Sequence, residues 1–517
     1  MEQTMSTEQT LSRKEPLIKN IRLSFGLSAL SGVLIALSMP NFNIWPLAWV
    51  ALVPLLIAME GQPFKQMNRL IIPFGLIWSV AVHNWYPLVF DPAKGYALIV
   101  AVGFYYGGVI LLGKLLQGRI PRPFHVLALP IVWTAIEWIH FAAPITQNQW
   151  FVLLPMSQWQ FPPALQVLPI TGFPGLSFII MLTNVAVAFL LIDVLRRRKL
   201  QVSILAALRH RPQVPALVAL VVPIIIVIWG ANIIPEPPAE TFNIVATVDM
   251  VNQDSEIQAR GELSGVGYAD TPEMSQAIFD VNAELSRQIT TTASPAFVVW
   301  AENEFADIDD AAMIDQLKGL AQELGVYIVA DVVWHSPDGL YDTALMVGPN
   351  GQEVGRQAKI NISPPEVRAG FSRGPKDYPV FDTPYGKVGL AVCYDRHRTE
   401  IIRNLARNGA RIALVPVDDD FNTRWFPAIH AADSVFRAAE NRLAMGLATT
   451  SGISQVIDPY GRMTARSDLY TREVIVGPTY TVDEQPLYTR VGDWFGILIS
   501  VLFGVVVTWG IVSMRRK

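Results

Sequence analysis

The sequence is short of charge and nearly empty of cysteine. Asp, Glu, Lys and Arg make up 16% of the 517 residues, and the one cysteine is Cys393. A single cysteine excludes an intrachain disulfide and any cysteine-rich metal site. A net charge of −4 gives nothing for nucleic acid to bind. The chain also lacks HExxH, CxxC, GxGxxG, a P-loop and GxSxG. Zinc, nucleotide and serine-hydrolase chemistry are therefore left without their usual sequence handles. What the chain has in abundance is apolar: 51% of residues are hydrophobic and the mean hydropathy is +0.33. That is too apolar for a soluble enzyme of this length and indicates a membrane protein.

Apolar segments suited to helical spans lie near 22–39, 44–60, 70–90, 96–114, 125–142, 166–194 and 214–234, with an eighth near 495–513. Basic residues follow every second span. They are Lys65 and Arg69; Lys114, Arg119 and Arg122; Arg196 to Lys199 with Arg209 and Arg211; and Arg515 to Lys517. Pro40 to Asn43 and Ala142 to Pro163 carry no Lys or Arg, and Phe90 to Tyr96 carries Lys94 alone. The positive-inside rule then puts both termini in the cytoplasm and the long stretch between spans seven and eight outside it. The polar segment 1–21, with Arg13, Lys14 and Lys19, reads as a cytoplasmic tail rather than a cleaved signal peptide.

Within the spans, Glu137 in WTAIEWIH is an ionisable group where burial in lipid is costly, with His140 one turn away as its natural partner. The loop Pro144 to Pro163 holds Trp150, Phe151, Trp159 and Phe161, which suit an interfacial anchor or the frame of a lipid entrance.

From about 241 to 489, short apolar runs alternate with helical patterns, which predicts a layered α/β domain. Expected strands are Phe242–Asp249, Ala296–Glu302, Tyr327–Val333, Thr343–Val347, Val388–Cys393, Arg411–Val417, Met445–Thr449 and Gln455–Asp458. Expected helices are Met274–Thr291, Asp309–Leu324, Arg396–Asn408 and Trp425–Leu443, and Gly348 to Gly351 marks a turn between paired strands.

The segment GKVGLAVCYDRHRTE, Gly386 to Glu400, is a strand, an elbow and a helix with a thiol at the elbow. A thiol at a helix start meets backbone N–H groups and the positive dipole end, which favour thiolate. A free cysteine is also an ordinary small buried hydrophobe. Glu302 ends the strand PAFVVWAE, where a carboxylate sits well for a site at the sheet edge, although a strand-end Glu is usually just solvated. Lys359 in GRQAKINI follows the turn. His335, His397 and His430 are alternative thiol partners, and His397, one turn from Cys393, keeps a Cys-His dyad open.

In the order Glu302, Lys359, Cys393 the chain resembles the Glu-Lys-Cys triad of the nitrilase superfamily of carbon–nitrogen hydrolases. The flanks resemble one branch, the bacterial apolipoprotein N-acyltransferases. VVWAE is similar to its VVWPE and VCYD to its ICYE. Trp425-Phe426, Arg437 to Arg442, Ala448 to Ser454 and Ile457 to Gly461 follow its C-terminal pattern. QVLPITGFPGLSF, with Gln166, Gly172, Gly175, Leu176 and Ser177, resembles its sixth span, and Thr489 to Trp494 the entry to its last. Departures are Ala301 for proline, Asp395 for glutamate, Asn361 to Glu366 for HLVPFGE, and Ile429-His430 for Gln-His.

The resemblance implies a cytoplasmic tail (1–21), a bundle of seven spans (22–234), an extracytoplasmic αββα sandwich domain of nitrilase type (235–490), and a last span with a basic tail (491–517). It implies a catalytic triad of Glu302, Lys359 and Cys393, with Glu366, Tyr394 and Asp395 in support; Asp395 could equally cap the helix. Arg437 and Glu440 read as a structural pair. The implied substrates are a phospholipid acyl donor and a diacylated apolipoprotein acceptor in the bacterial inner membrane. The expected enzyme is a monomer that uses no metal or organic cofactor. Three readings compete: a membrane-anchored amide hydrolase of nitrilase type, an inactive lipid-binding scaffold that kept the fold, and an acyltransferase with another amine acceptor.

Overall fold

A computed structural model describes residues 15–144, 152–199, 214–260, 269, 271–293, 295–303, 305–419 and 423–515. The chain divides into two units, one running to Asn232 and resuming at Asp493, the other essentially Ile233–Gly492.

The first unit is helical. Its elements are α1 (Ile21–Ser38), α2 (Val53–Met59), α3 (Phe64–His83), α4 (Pro92–Gln117), α5 (His125–Ala142), α6 (Phe173–Lys199), α7 (Val214–Ile233) and, after the second unit, α12 (Trp494–Arg515). Among the described residues six of these are long and apolar enough to cross a membrane: α1, α4, α5, α6, α7 and α12. The expectation of about eight spans is thus too high by this measure. The 44–60 segment does not form one span, because Pro46 and Pro54 break it into the 3₁₀ turn Trp45–Trp49 and the seven-residue α2. The third span starts earlier than expected and takes Lys65 and Arg69 into α3, which dilutes its hydropathy. The 166–194 segment is interrupted at Gly172, whose φ of 66° ends one short turn before α6 begins. On the outer helices the large exposed side chains are apolar, among them Val218, Ile225 and Ile228 on α7 and Val501, Val505 and Trp509 on α12. Such faces suit lipid rather than water.

Polar side chains hold the bundle where helix packing alone cannot. Asn184 on α6 donates to Ala48 O at 2.7 Å and accepts from Leu52 N at 2.8 Å, which secures the broken 45–53 segment. Glu137 on α5 is buried, accepts from Leu154 N at 2.8 Å and takes the Ser177 hydroxyl from α6. Its partners are therefore Ser177 and a loop amide rather than His140, whose ring lies 5.4 Å from that of Tyr105. The aromatic loop is only partly an exposed belt. Trp159 is buried and donates to Asn43 Oδ1 at 2.6 Å, and Phe161 stacks on Trp45 at 3.9 Å. Trp150 and Phe151 lie outside the described residues, as do 1–14 of the expected tail and the basic residues Arg209, Arg211, Arg516 and Lys517.

The second unit stacks two six-stranded sheets between helices. The first sheet has the order β12 (Glu473–Thr479), β1 (Phe242–Val248), β2 (Phe297–Val299), β3 (Tyr327–Ser336), β4 (Gly339–Val347), β5 (Glu353–Ala358). The second has the order β11 (Met463–Arg466), β10 (Gln455–Ile457), β9 (Ala444–Thr449), β8 (Ile412–Val417), β7 (Val388–Leu390), β6 (Val380–Phe381). Helices α8 (Pro272–Ala293) and α9 (Ala311–Leu324) cover the first sheet, and α10 (Thr399–Arg407) and α11 (Pro427–Asn441) lie with the second, giving the αββα sandwich. The strands β1, β2 and β3 run parallel, as do β7, β8 and β9, and they are mostly apolar because both faces are covered. The sheets meet closely at Gly446, where a Cβ would come within 2.6 Å of Ile244 Cγ2. Val298, Trp300, Leu317, Ile328 and Leu345 form the core under α8 and α9.

Candidate functional site

The catalytic candidates all follow strand ends. Glu302 stands three residues past β2, Lys359 one past β5 and Cys393 three past β7, so strands of both sheets deliver them to one end of the sandwich. Glu302 reaches across the sheets. Its backbone N–H donates to Val417 O at 3.3 Å, and its Oε2 accepts from Asp418 N at 2.6 Å. Its Oε1 pairs with Lys359 Nζ. Cys393 Sγ donates to Asp418 O at 3.6 Å, so residue 418 bridges the base and the thiol through its backbone. Lys359 also contacts Glu366 Oε1 at 2.6 Å and Asp342 Oδ2 at 2.8 Å.

All of these groups are buried; Glu302 and Lys359 are 4% and 3% exposed, Cys393 9%. Three carboxylates thus surround one ammonium in a low-dielectric pocket. Their oxygens lie close enough together to hold a metal ion, and the Lys359 ammonium sits among them as the cation. Burial works against the Lys359 charge, yet Asp342, Glu302 and Glu366 hold its proton well above the usual lysine range. Burial lifts the Glu302 carboxyl to about 8 against the pull of Lys359, with Asp342 and Glu366 pushing the same way. Asp342 is also raised by burial. For Glu366 burial raises the value, but Lys359 and Ser363 outweigh it and hold it below the usual range.

The thiol departs from expectation. Burial and the neighbouring Glu302 push Cys393 well above the ordinary thiol range, against Lys359 and Arg396. The resting sulfur is therefore a protonated thiol. The structural reason lies in the turn. Cys393 opens a five-residue 3₁₀ turn, Cys393–His397, and the α-helix α10 starts only at Thr399. Cys393 itself has φ of 40°, a left-handed geometry that costs about 1–2 kcal/mol in a non-glycine residue.

Asp395 caps the 3₁₀ turn, its side chain accepting from the backbone of the N-cap residue Val392, and it reaches further. Its Oδ1 accepts from Ile360 N at 3.1 Å and Asn361 N at 2.6 Å, and its Oδ2 from Val392 N at 3.2 Å. It clamps the residues after Lys359 to the residue before Cys393. Asn361 adds a bond from Nδ2 to Tyr394 O at 3.1 Å. Glu366 starts a short helix, Pro364–Ala369, where its Oε2 accepts from Ser363 N at 2.5 Å while Oε1 faces Lys359. The Tyr394 side chain is half-buried and its ring lies 5.1 Å from that of His397.

The histidines have other partners. His397 pairs with Asp433 and stacks on His430 at 4.4 Å; His430 pairs with Asp419; His335 pairs with Asp307 on the exposed end of β3. Burial lowers His397 to about 4, so its imidazole is uncharged near neutrality. A Cys-His dyad has no support in this geometry. Arg437 and Glu440 do pair, at 3.1 Å.

Three site residues escaped the sequence reading. Asp342 carried a usable signal, since it shares the buried face of β4 with Ala344 and Met346, where a lone carboxylate needs a partner. Asp418 acts through its backbone, which no residue type announces. Arg396 looks like an ordinary surface arginine in sequence and is 1% exposed.

Residues 270–480 match the carbon–nitrogen hydrolase family, which makes the second unit a domain of that class. Residues 31–186 match the apolipoprotein N-acyltransferase N-terminal domain. An apolipoprotein N-acyltransferase of Geobacter metallireducens is 28% identical over 536 residues, covering 96% of each chain. One of Thermotoga maritima is 23% identical over 520 residues, covering 94% of this chain and 93% of that protein. An omega-amidase of Homo sapiens is 27% identical over 191 residues, 34% of this chain and 68% of that protein. With both parts present in one chain, and full-length relatives of the same build, the chain belongs to the apolipoprotein N-acyltransferase family and is a bacterial membrane protein.

Proposed function

We propose that this enzyme moves an acyl chain from a membrane phospholipid to the N-terminal amine of a diacylglyceryl-cysteine lipoprotein, by way of a thioester on Cys393. The convergence of Glu302, Lys359 and Cys393 in a chain that also carries the family's membrane part supports this reading above the rest. Glu302 takes the Cys393 proton as general base, and the thiolate attacks the phospholipid ester carbonyl. Lys359 and a backbone N–H after Cys393 stabilise the oxyanion. The carbonyl–oxygen bond breaks, the leaving alkoxide recovers the proton from Glu302 as lysophospholipid, and the acyl group remains on sulfur. The lipoprotein amine then attacks the thioester, the carbon–sulfur bond breaks, and the amine's proton returns through Glu302 to the thiolate. Two half-reactions sharing one covalent intermediate give ping-pong kinetics.

Asp342 and Glu366 hold Lys359 in place, and Asp395 keeps it registered against the thiol turn. Both termini are cytoplasmic and the catalytic domain is extracytoplasmic, as the distribution of Lys and Arg supports. All the groups used come from one chain, so the reading needs no second copy. The test is transfer in detergent from phosphatidylethanolamine vesicles to a synthetic diacylated lipopeptide. The product gains one acyl chain with wild type and none with Cys393→Ala. Free fatty acid with unchanged lipopeptide would instead favour the hydrolase reading.

A further inference from the structure

Beneath the Cys393 turn lie five buried titratable side chains that the acyl-transfer scheme leaves unused: Arg396, His397, Asp419, His430 and Asp433. The histidines pair with the two aspartates. Arg396 is the member that reaches the nucleophile. Its Nη1 donates to Cys393 O at 3.1 Å, three residues back in the same turn. Its Nη2 lies 3.7 Å from Asp419 Oδ1, a long contact to a carboxylate already engaged by His430. Its Nε is buried and makes no hydrogen bond.

A buried guanidinium is costly unless opposite charge answers it; Asp419 answers this one only from 3.7 Å, and Asp433 adds to it through space. An ionised Cys393 would supply the remainder. Resting on the thioester reading above, we propose that Arg396 is a second cation for the Cys393 thiolate, bound to the nucleophile's own backbone and working beside Lys359. The other groups facing the sulfur are Glu302 past β2, Lys359 past β5 and the Asp418 carbonyl past β8. Glu302 disfavours thiolate while it is ionised, so a cation on the far side lets proton transfer to Glu302 leave a stabilised sulfur anion. Arginine suits the position because it keeps its charge when buried.

The test is alkylation of Cys393, the single thiol, by iodoacetamide in the full-length protein, read by intact mass from about pH 6 to about pH 10. Arg396→Gln moves the alkylation midpoint upward and slows alkylation at neutral pH about tenfold, the low end for losing an opposite charge beside a titrating group. Arg396→Lys keeps the charge and stays within about threefold of wild type. No slowing in Arg396→Gln, or equal slowing in both variants, overturns the proposal. If Arg396→Gln loses its cooperative melt, Arg396→Met combined with Asp419→Asn removes the buried pair together. Slowing is expected there too, and wild-type reactivity in it overturns the proposal. Alkylation needs neither phospholipid nor lipoprotein. Failure of wild type to form an acyl-enzyme would therefore sink the acyl-transfer reading and leave the Arg396 result standing.

Discussion

Replacing Lys359 with methionine removes the one positive charge, among the described residues, that Glu302, Asp342 and Glu366 share. The vacated position lies 2.6 Å from Glu366 Oε1 and 2.8 Å from Asp342 Oδ2, and all three carboxyls are buried. Breaking a buried pair from one side costs about 3–5 kcal/mol, and three carboxyls facing one another put this case at the upper end. For a unit of this size that is a fall in melting temperature of roughly 10 °C. The loss has a pH signature. Without the ammonium, each carboxyl titrates higher in the folded than in the unfolded protein, where it titrates near about 4. Its contribution is then fully present below the unfolded value and lost as pH rises through the folded one. The deficit against wild type should be small near pH 4, grow through neutrality and be largest above about pH 8, and Lys359→Met/Asp342→Asn should recover part of it. The assay is thermal unfolding of the detergent-solubilised variants across that range. A deficit below about 1 kcal/mol, or one that does not change with pH, would refute the idea that Lys359 neutralises the cluster.

Other expectations follow from the same geometry. Because burial places the Glu302 carboxyl at about 8, formation of the acyl-enzyme should speed up with pH through about 8 rather than through the ordinary glutamate range. Glu302→Gln should be slower by about 10²–10⁴ with no such rise, and a wild-type rate flat across pH 6–9 would count against Glu302 as base. Asp395→Asn replaces one acceptor oxygen by a donor facing backbone N–H groups, and should cost about 1–3 kcal/mol while slowing acylation; unchanged melting and rate would show that the clamp is idle. In the membrane unit, Ser177→Ala deprives buried Glu137 of its hydroxyl partner and should cost a similar about 1–3 kcal/mol, whereas His140→Ala should cost less. The reverse order would restore His140 as the partner.

Much of the site was legible because its residues end apolar strands. Glu302 and Cys393 follow β2 and β7, short apolar strands, and the residues past such strands are where a layered α/β domain keeps its chemistry. The turn at Gly348 to Gly351 was equally plain, with Gly348 N donating to Gln352 O at 2.9 Å between β4 and β5. The elements that escaped notice are marginal in composition. β5 reads EVGRQA, β11 is an alternating MTAR at a sheet edge, and β12 carries Gly477 and Pro478. The sequence reading also overrated local rules. An apolar run at 44–60 satisfied a hydropathy window, but hydropathy ignores the missing N–H groups of Pro46 and Pro54. A thiol before a helix-like pattern suggested an activated thiolate, whereas Cys393 opens a 3₁₀ turn that ends before α10 begins and burial dominates its titration. The pairings of Arg396 with Asp419 and of His397 with Asp433 join residues from different elements. No spacing along one chain reveals them.

The thioester on Cys393 is the central claim. Intact mass of the purified protein after incubation with phospholipid, with and without neutral hydroxylamine and beside Cys393→Ala, tests it directly. The account predicts one added acyl chain on wild type, removed by hydroxylamine and absent from the variant. Wild type that stays unmodified while phospholipid remains intact, or an adduct that persists in Cys393→Ala, would contradict it.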